Sequence, residues 1–105
     1  KILMINSVAG THAIKNESIY CGSKFAIKGF SESLQMELKR KNISITNIHP
    51  GGINTPLWNE KNIYPGNVNE LLEKNDVSKI IELVINLPNS QIMKNLTIHP
   101  FCEDH

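Results

Sequence analysis

Long apolar runs are missing from this chain, cysteine is scarce, and neither sign of charge dominates. Apolar stretches such as Ile80-Ile81 and Val84-Ile85 are broken by polar residues every two or three positions. That falls far short of the roughly 20 consecutive apolar residues that cross a bilayer, so neither a transmembrane segment nor a membrane partner is expected. Lys1-Ile2-Leu3-Met4-Ile5 is too short for a signal-peptide core, and no small-residue cleavage site follows it. The expected location is therefore the cytoplasm. Lys and Arg total 11 against 10 Asp and Glu, a formal net charge of +1, so no nucleic acid partner is expected. At 20% charged residues the chain is also unlike a disordered acidic or basic tail. Cys21 and Cys102, far apart and the only two, suit reduced thiols rather than a disulfide framework. The tripeptides Asn16-Glu17-Ser18, Asn42-Ile43-Ser44 and Asn95-Leu96-Thr97 match glycosylation sequons but carry no weight without a secretory signal. A length of 105 residues with 40% hydrophobic content bounds the chain at one small domain or less. It has no repeat, linker or second domain.

Ile2 to Ile5 form a continuous apolar run, as a strand buried on both faces reads. Residues 7–16 have loop composition. Ser18 is placed to cap a helix running to about Lys41, with Tyr20, Lys24, Ile27, Phe30, Leu34 and Leu38 at helical spacing and Lys39-Arg40-Lys41 at the negative end of its dipole. Residues 43–48 alternate apolar and polar side chains, a second strand ending at His49-Pro50-Gly51-Gly52. Residues 55–69 lack a sustained period and describe a long excursion. Asn75 or Asp76 can cap a second helix, with Val77, Ile80, Ile81, Val84 and Ile85 on one face and Pro88 at its end; residues 95–99 read as a last short strand. Strand, helix, strand, helix, strand predicts an α/β fold with a parallel sheet and right-handed crossovers. Ligands of such a fold bind beyond the carboxyl ends of the strands, where both conspicuous loops lie. Three strands and two main helices leave an unpaired sheet edge, so the expected unit is half of a domain.

Tyr20 and Lys24 are four apart on the expected helix and share a face. An ammonium there favours deprotonation of the phenol, which suits a proton shuttle; alone, the pair equally describes a solvated Lys beside an interfacial Tyr. Ser7 precedes Tyr20 by 13 residues at the end of the first strand, and alone is equally an ordinary cap. Leu57, Trp58 and Tyr64 could line a substrate pocket or pin the excursion to the core. His99, Cys102 and His105 have a spacing that could hold a metal, but no second cluster completes the ligand set, and a mobile polar terminus is the expectation. Metal residues are therefore expected to be none. His12 and His49 have no partner in register for a metal or a triad, and Ser7 lacks the Gly-x-Ser-x-Gly setting of a hydrolase elbow.

Three motifs in order, Ile5-Asn6-Ser7-Val8-Ala9-Gly10, Tyr20-Cys21-Gly22-Ser23-Lys24-Phe25-Ala26 and Pro50-Gly51-Gly52-Ile53-Asn54-Thr55, resemble the C-terminal half of short-chain dehydrogenases/reductases over essentially the whole chain. The resemblance implies the C-terminal half of a Rossmann-type doubly wound parallel sheet. It also implies hydride transfer between NAD or NADP and a small-molecule carbonyl or alcohol. Tyr20 would be the acid/base, Lys24 would hold the nicotinamide ribose and assist Tyr20, and Ser7 would bond the reacting oxygen. Pro50, Gly51, Ile53 and Thr55 would pass beneath the nicotinamide, with Trp58 a candidate substrate contact. The helix from Ser18 to Lys41 resembles the one that builds the family's dimer face, which implies a homo-oligomer.

The family's Gly-rich pyrophosphate turn and its catalytic Asn on the preceding helix have no counterpart in these residues. The expectation is a front-truncated chain, residues 1–105 forming the catalytic and substrate half of a reductase domain and inactive in isolation. The alternative is a complete but non-catalytic product that cannot hold cofactor and associates through its sheet edge or long helix.

Overall fold

The computed structural model describes residues 1–104. It contains strand β1 (Ile2–Ile5), helix α1 (Ser18–Leu38), strand β2 (Ile45–Pro50), helix α2 (Lys74–Ile85) and strand β3 (Asn95–Ile98), with short 3-10 turns at Val8–Gly10, Lys39–Lys41 and Val68–Glu70. The strands form one parallel sheet in the order β1-β2-β3, the Rossmann-type arrangement expected. Ile5 sits beside Ile48, and Pro50 beside Ile98, so β1 and β2 deliver Asn6-Ser7 and Gly51-Gly52 to the same edge.

The second strand differs from its expected form. It starts at Ile45, runs through His49 and Pro50, and is buried at every residue instead of alternating. A middle strand between two neighbours has no open edge, and its polar side chains must find partners inside. Asn47 Oδ1 accepts a hydrogen bond of 2.9 Å from the buried Ser31 hydroxyl of α1. Gln35 of the same helix donates to the Ile43 carbonyl at 3.1 Å and accepts the Ile45 amide. These bonds set which face of α1 packs. Cys21 and Ser31 are buried, whereas Tyr20 is 46% exposed and Phe30 61%, so the packing stripe is rotated from the expected Tyr20–Phe30 line toward small and polar residues.

Helix ends differ locally. Ser18 opens α1 rather than capping it; Glu17 is the cap residue, without a side-chain bond, and its carbonyl accepts the Cys21 amide at 2.8 Å. The α-helix stops at Leu38, tightens into the turn Lys39–Lys41 and is closed by Asn42 in the left-handed region (φ 57°), a role Asn fills at low cost. Glu73, not Asn75 or Asp76, caps α2, and Asp76 reaches back to the Glu73 amide at 2.8 Å in a capping box. The helix ends before Pro88 with Ile85 of its expected apolar face 55% exposed. Lys1 Nζ donates to the carbonyls of Val84 (3.3 Å), Ile85 (2.8 Å) and Leu87, placing a cation at the negative end of α2. Strand β3 stops at Ile98, one residue short of the expected end. Among the described residues no helix is long and apolar enough to cross a membrane.

Candidate functional site

Beyond β1 the chain turns sharply. Ser7 caps the Val8–Gly10 turn, its Oγ accepting the Ala9 amide at 3.1 Å. The buried Asn6 holds this turn to the sheet through its amide, which donates to Ile48 O at 2.7 Å. Asn6 also holds the turn to α1, with Nδ2 donating to the Lys24 carbonyl at 3.1 Å. Gly10 makes that junction possible, since a Cβ there would lie 2.8 Å from Asn6 Nδ2 and 3.0 Å from Lys24 O. The same helical turn carries Tyr20 and Lys24 on neighbouring positions, and Lys24 Nζ sits 5.5 Å from the Tyr20 ring centroid, within cation–π range.

A cleft of about 610 Å³ opens at this end of the sheet. Ser7 and Tyr20 form one wall; Pro50, Gly51, Ile53 and Thr55 form the other. Lys24 reaches the site through Tyr20. Leu57, Trp58 and Tyr64 of the excursion close the outer side, and the two readings of those aromatics turn out to be compatible. Trp58 is on the cleft wall, yet it also pins the loop, its indole N–H donating to the Ile53 carbonyl at 3.1 Å and its ring meeting Tyr64 edge-on at 5.1 Å. Tyr64 has its pKa raised above 10.0, first by burial and then by the charge of Glu103.

Three residues of the site are given no role by the motifs. Asn6 is one, and its Oδ1 is buried without a hydrogen-bond partner while the residue lines the cleft. His49 is another. Fully buried in β2, it places Nδ1 3.2 Å from the Ser7 carbonyl, to which it donates, and Nε2 2.9 Å from Asn95 Oδ1; Asn95 Nδ2 in turn donates to Glu32 at 3.2 Å. This support of Ser7 across the sheet was not legible in the sequence. The third is Glu103, whose Oε1 accepts the Gly52 amide at 2.6 Å and which lines the cleft.

Glu103 corrects the expected mobile tail. Pro100 is buried, Cys102 Sγ contacts the Glu70 carbonyl at 3.7 Å, and the segment packs under the 50–52 turn. The reason is the missing side chains of two glycines. A Cβ on Gly51 would lie 2.7 Å from His99 Cβ and 3.0 Å from Pro100 Cδ, and one on Gly52 would lie 2.8 Å from Leu71 Cδ2 and 2.9 Å from Glu103 Oε1. The space freed at Gly51 is thus filled from below by the chain itself. Both cysteines are free, Cys21 buried and Cys102 exposed. Among the described residues no cluster of three or more His, Cys, Asp or Glu is arranged for a metal; His105 of the considered tail set lies outside them.

Comparison with known proteins places this geometry in a family. Sepiapterin reductase of Chlorobaculum tepidum is 42% identical over 57 residues, 54% of this chain and 23% of that protein. A β-ketoacyl-[ACP] reductase from Bacteroides thetaiotaomicron superposes with a TM-score of 0.77 at 27% identity, over 95% of this chain and 41% of that one. The closed form of serine dehydrogenase complexed with NADP+ superposes at 0.85 and 23% identity, over 99% of this chain and 45% of that one, a likeness of fold. The chain therefore spans less than half the length of these relatives. The sequence pattern described as short chain dehydrogenase matches residues 1–65, the stretch that carries Ser7, Tyr20, Lys24 and the 50–55 turn, and the chain belongs to the short-chain dehydrogenase family.

Proposed function

We propose that this chain carries the acid/base half of a nicotinamide-dependent oxidoreductase site that interconverts a carbonyl and an alcohol on a small molecule. The observation that supports this most is the meeting of Ser7 and Tyr20 on one cleft, Lys24 Nζ against the Tyr20 ring, opposite the Pro50–Thr55 turn. The residues suit the nicotinamide end of NAD or NADP. The cleft has room for a ring and a small substrate, its floor is backbone at two glycines, and Asn6 Oδ1 is a buried acceptor still lacking a donor. When bound, the nicotinamide supplies or accepts the hydride.

The protein's share is to position the substrate oxygen and move its proton. The Tyr20 hydroxyl gives its proton to a carbonyl oxygen, or takes one from an alcohol in the reverse direction. Ser7 accepts the Ala9 amide through an oxygen lone pair and so keeps its hydroxyl proton to donate to the same substrate oxygen. Charge left on Tyr20 is offset by the Lys24 ammonium, which in this reading also holds the nicotinamide ribose. The Thr55 hydroxyl, which accepts the Leu57 amide at 3.4 Å, and the Ile53 backbone hold the carboxamide. Leu57 and Trp58 form the apolar wall for the substrate.

In the same reading two copies pair through the outer face of α1, where Ile19, Phe30 and Met36 are 89%, 61% and 79% exposed. Sedimentation velocity at micromolar concentration should show a dimer or larger; a monomer rejects the pairing.

Steady-state turnover by the full-length polypeptide on a panel of carbonyl compounds with NADH and NADPH tests the chemistry. Tyr20→Phe should abolish turnover of any substrate found while leaving dinucleotide affinity within about twofold; near-normal turnover in the variant ends the mechanism.

A further inference from the structure

The Pro50–Ile53 turn is held from a distance. Backbone bonds tie it to β3 through the Gly51 amide and Ile98 O (2.7 Å), and to the chain just before α2 through Leu72 N and Gly52 O (3.0 Å). One further donor in it, the Gly52 amide, is satisfied by a side chain 51 residues away, the carboxylate of Glu103 at 2.6 Å. This is a charge-assisted bond, shorter and stronger than an amide–carbonyl contact. Two glycines side by side leave the room for it, because a Cβ on either would lie 2.9 Å from the same Glu103 oxygen. Burial, and after it the charge of Glu103, raises the pKa of Tyr64, and the neighbouring Cys102 contacts the Glu70 carbonyl just beyond the excursion. The segment after β3 thus joins the turn to the chain that follows the excursion.

We propose that Glu103 is a positioning residue for the cofactor-facing turn. By fixing the Gly52 peptide plane it fixes the next residue, Ile53, whose backbone, with Thr55, receives the nicotinamide carboxamide in the reading above, on which this inference rests. The carbonyl side of Ile53 is already steadied by Trp58, so Glu103 and Trp58 constrain the two ends of one dipeptide. A turn held this way is ready for the carboxamide before the dinucleotide arrives. Without the carboxylate, part of the binding energy is spent on ordering it.

The test uses the full-length polypeptide and reduced-nicotinamide fluorescence with NADH and NADPH, beside amide hydrogen exchange at residues 51–53 without dinucleotide. Glu103→Gln keeps an acceptor at the same place and should bind within about twofold of wild type, with Gly52 exchange little changed. Glu103→Ala should weaken the better dinucleotide about tenfold and speed exchange at Gly52. At saturating dinucleotide its turnover should fall less than twofold, because the carboxylate does not touch the reacting oxygen. Gly52→Ala, whose methyl displaces the same carboxylate, should reproduce the Glu103→Ala loss and add little to it when combined. If wild type binds dinucleotide and Glu103→Ala binds it equally well, Glu103 does not position the turn. If wild type binds neither dinucleotide, the reading of the site fails, and the inference with it. A tenfold loss in Glu103→Gln as well would assign the effect to charge near the nicotinamide and overturn positioning.

Discussion

Gly10→Ala tests whether the junction between β1 and α1 is as tight as described. The added Cβ would lie 2.8 Å from Asn6 Nδ2, 3.2 Å from Asn6 Cγ and 3.0 Å from the Lys24 carbonyl. The last is helix backbone and cannot retreat alone, and Asn6 is only 5% exposed. Among the described residues no glycine has positive φ, so the effect is one of space and not of backbone strain. Overpacking a tight site costs about 1–3 kcal/mol, and losing the Asn6–Lys24 bond adds about 1 kcal/mol. A total near 2–4 kcal/mol is a large part of the ~5–15 kcal/mol that holds a domain together. It corresponds to a fall in Tm on the order of 10 °C at this size. Urea unfolding followed by circular dichroism measures it. Asn6→Ala removes both the bond and the crowding atom, so the double variant should lose less than the two single losses added, by about 1 kcal/mol. Strict additivity, or a Gly10→Ala protein as stable as wild type, refutes the geometry.

Other consequences follow from the same contacts. Tyr64 should titrate above pH 10, and its folded pKa, raised above the unfolded value, contributes stability that is full below pH 10 and is lost as pH rises through the folded pKa. Phenolate absorbance should show the midpoint move back toward 10 in Glu103→Gln, and an unmoved midpoint rejects the Glu103–Tyr64 interaction. A mild disulfide reagent should label Cys102 within minutes and Cys21 only on unfolding, since Cys21 is 6% exposed and Cys102 open; equal labelling rates contradict the packing of α1. Lys24→Met should reduce both turnover and dinucleotide affinity, in contrast to Tyr20→Phe, and a variant that loses turnover alone would remove Lys24 from the cofactor side.

The parts of the fold that follow local rules were legible in the sequence. The run Ile2–Ile5 reads as a strand, although not as one buried on both faces, since Ile2 is 38% and Ile5 48% exposed; the helical spacing of α1 and α2 reads directly, and the three motifs locate Ser7, Tyr20, Lys24 and the 50–55 turn. What was not legible depends on partners distant in the chain. Residues 43–48 alternate in chemistry but not in burial, because Thr46, Asn47 and His49 lie in a middle strand where α1 and β3 satisfy Asn47 and His49. The rotation of α1 follows from Ser31 and Gln35 bonding β2 and the chain entering it, which apolar periodicity does not register. Glu103 looked like one charge in a polar tail. Only the adjacent Gly51-Gly52 held a signal of it, since two glycines side by side leave room for another group, and that signal did not say which.

The central claim is that the cleft between Tyr20 and the Pro50–Thr55 turn receives a nicotinamide. Trp58, the sole tryptophan of these residues, lies on that cleft and is bonded to Ile53, so it reports the event directly. Titrating the protein with NADH and with NADPH should give saturable quenching of tryptophan emission, with sensitised nicotinamide emission that Trp58→Phe removes. Saturable binding with no energy transfer from Trp58, or no binding of either dinucleotide by the folded full-length polypeptide, contradicts the account.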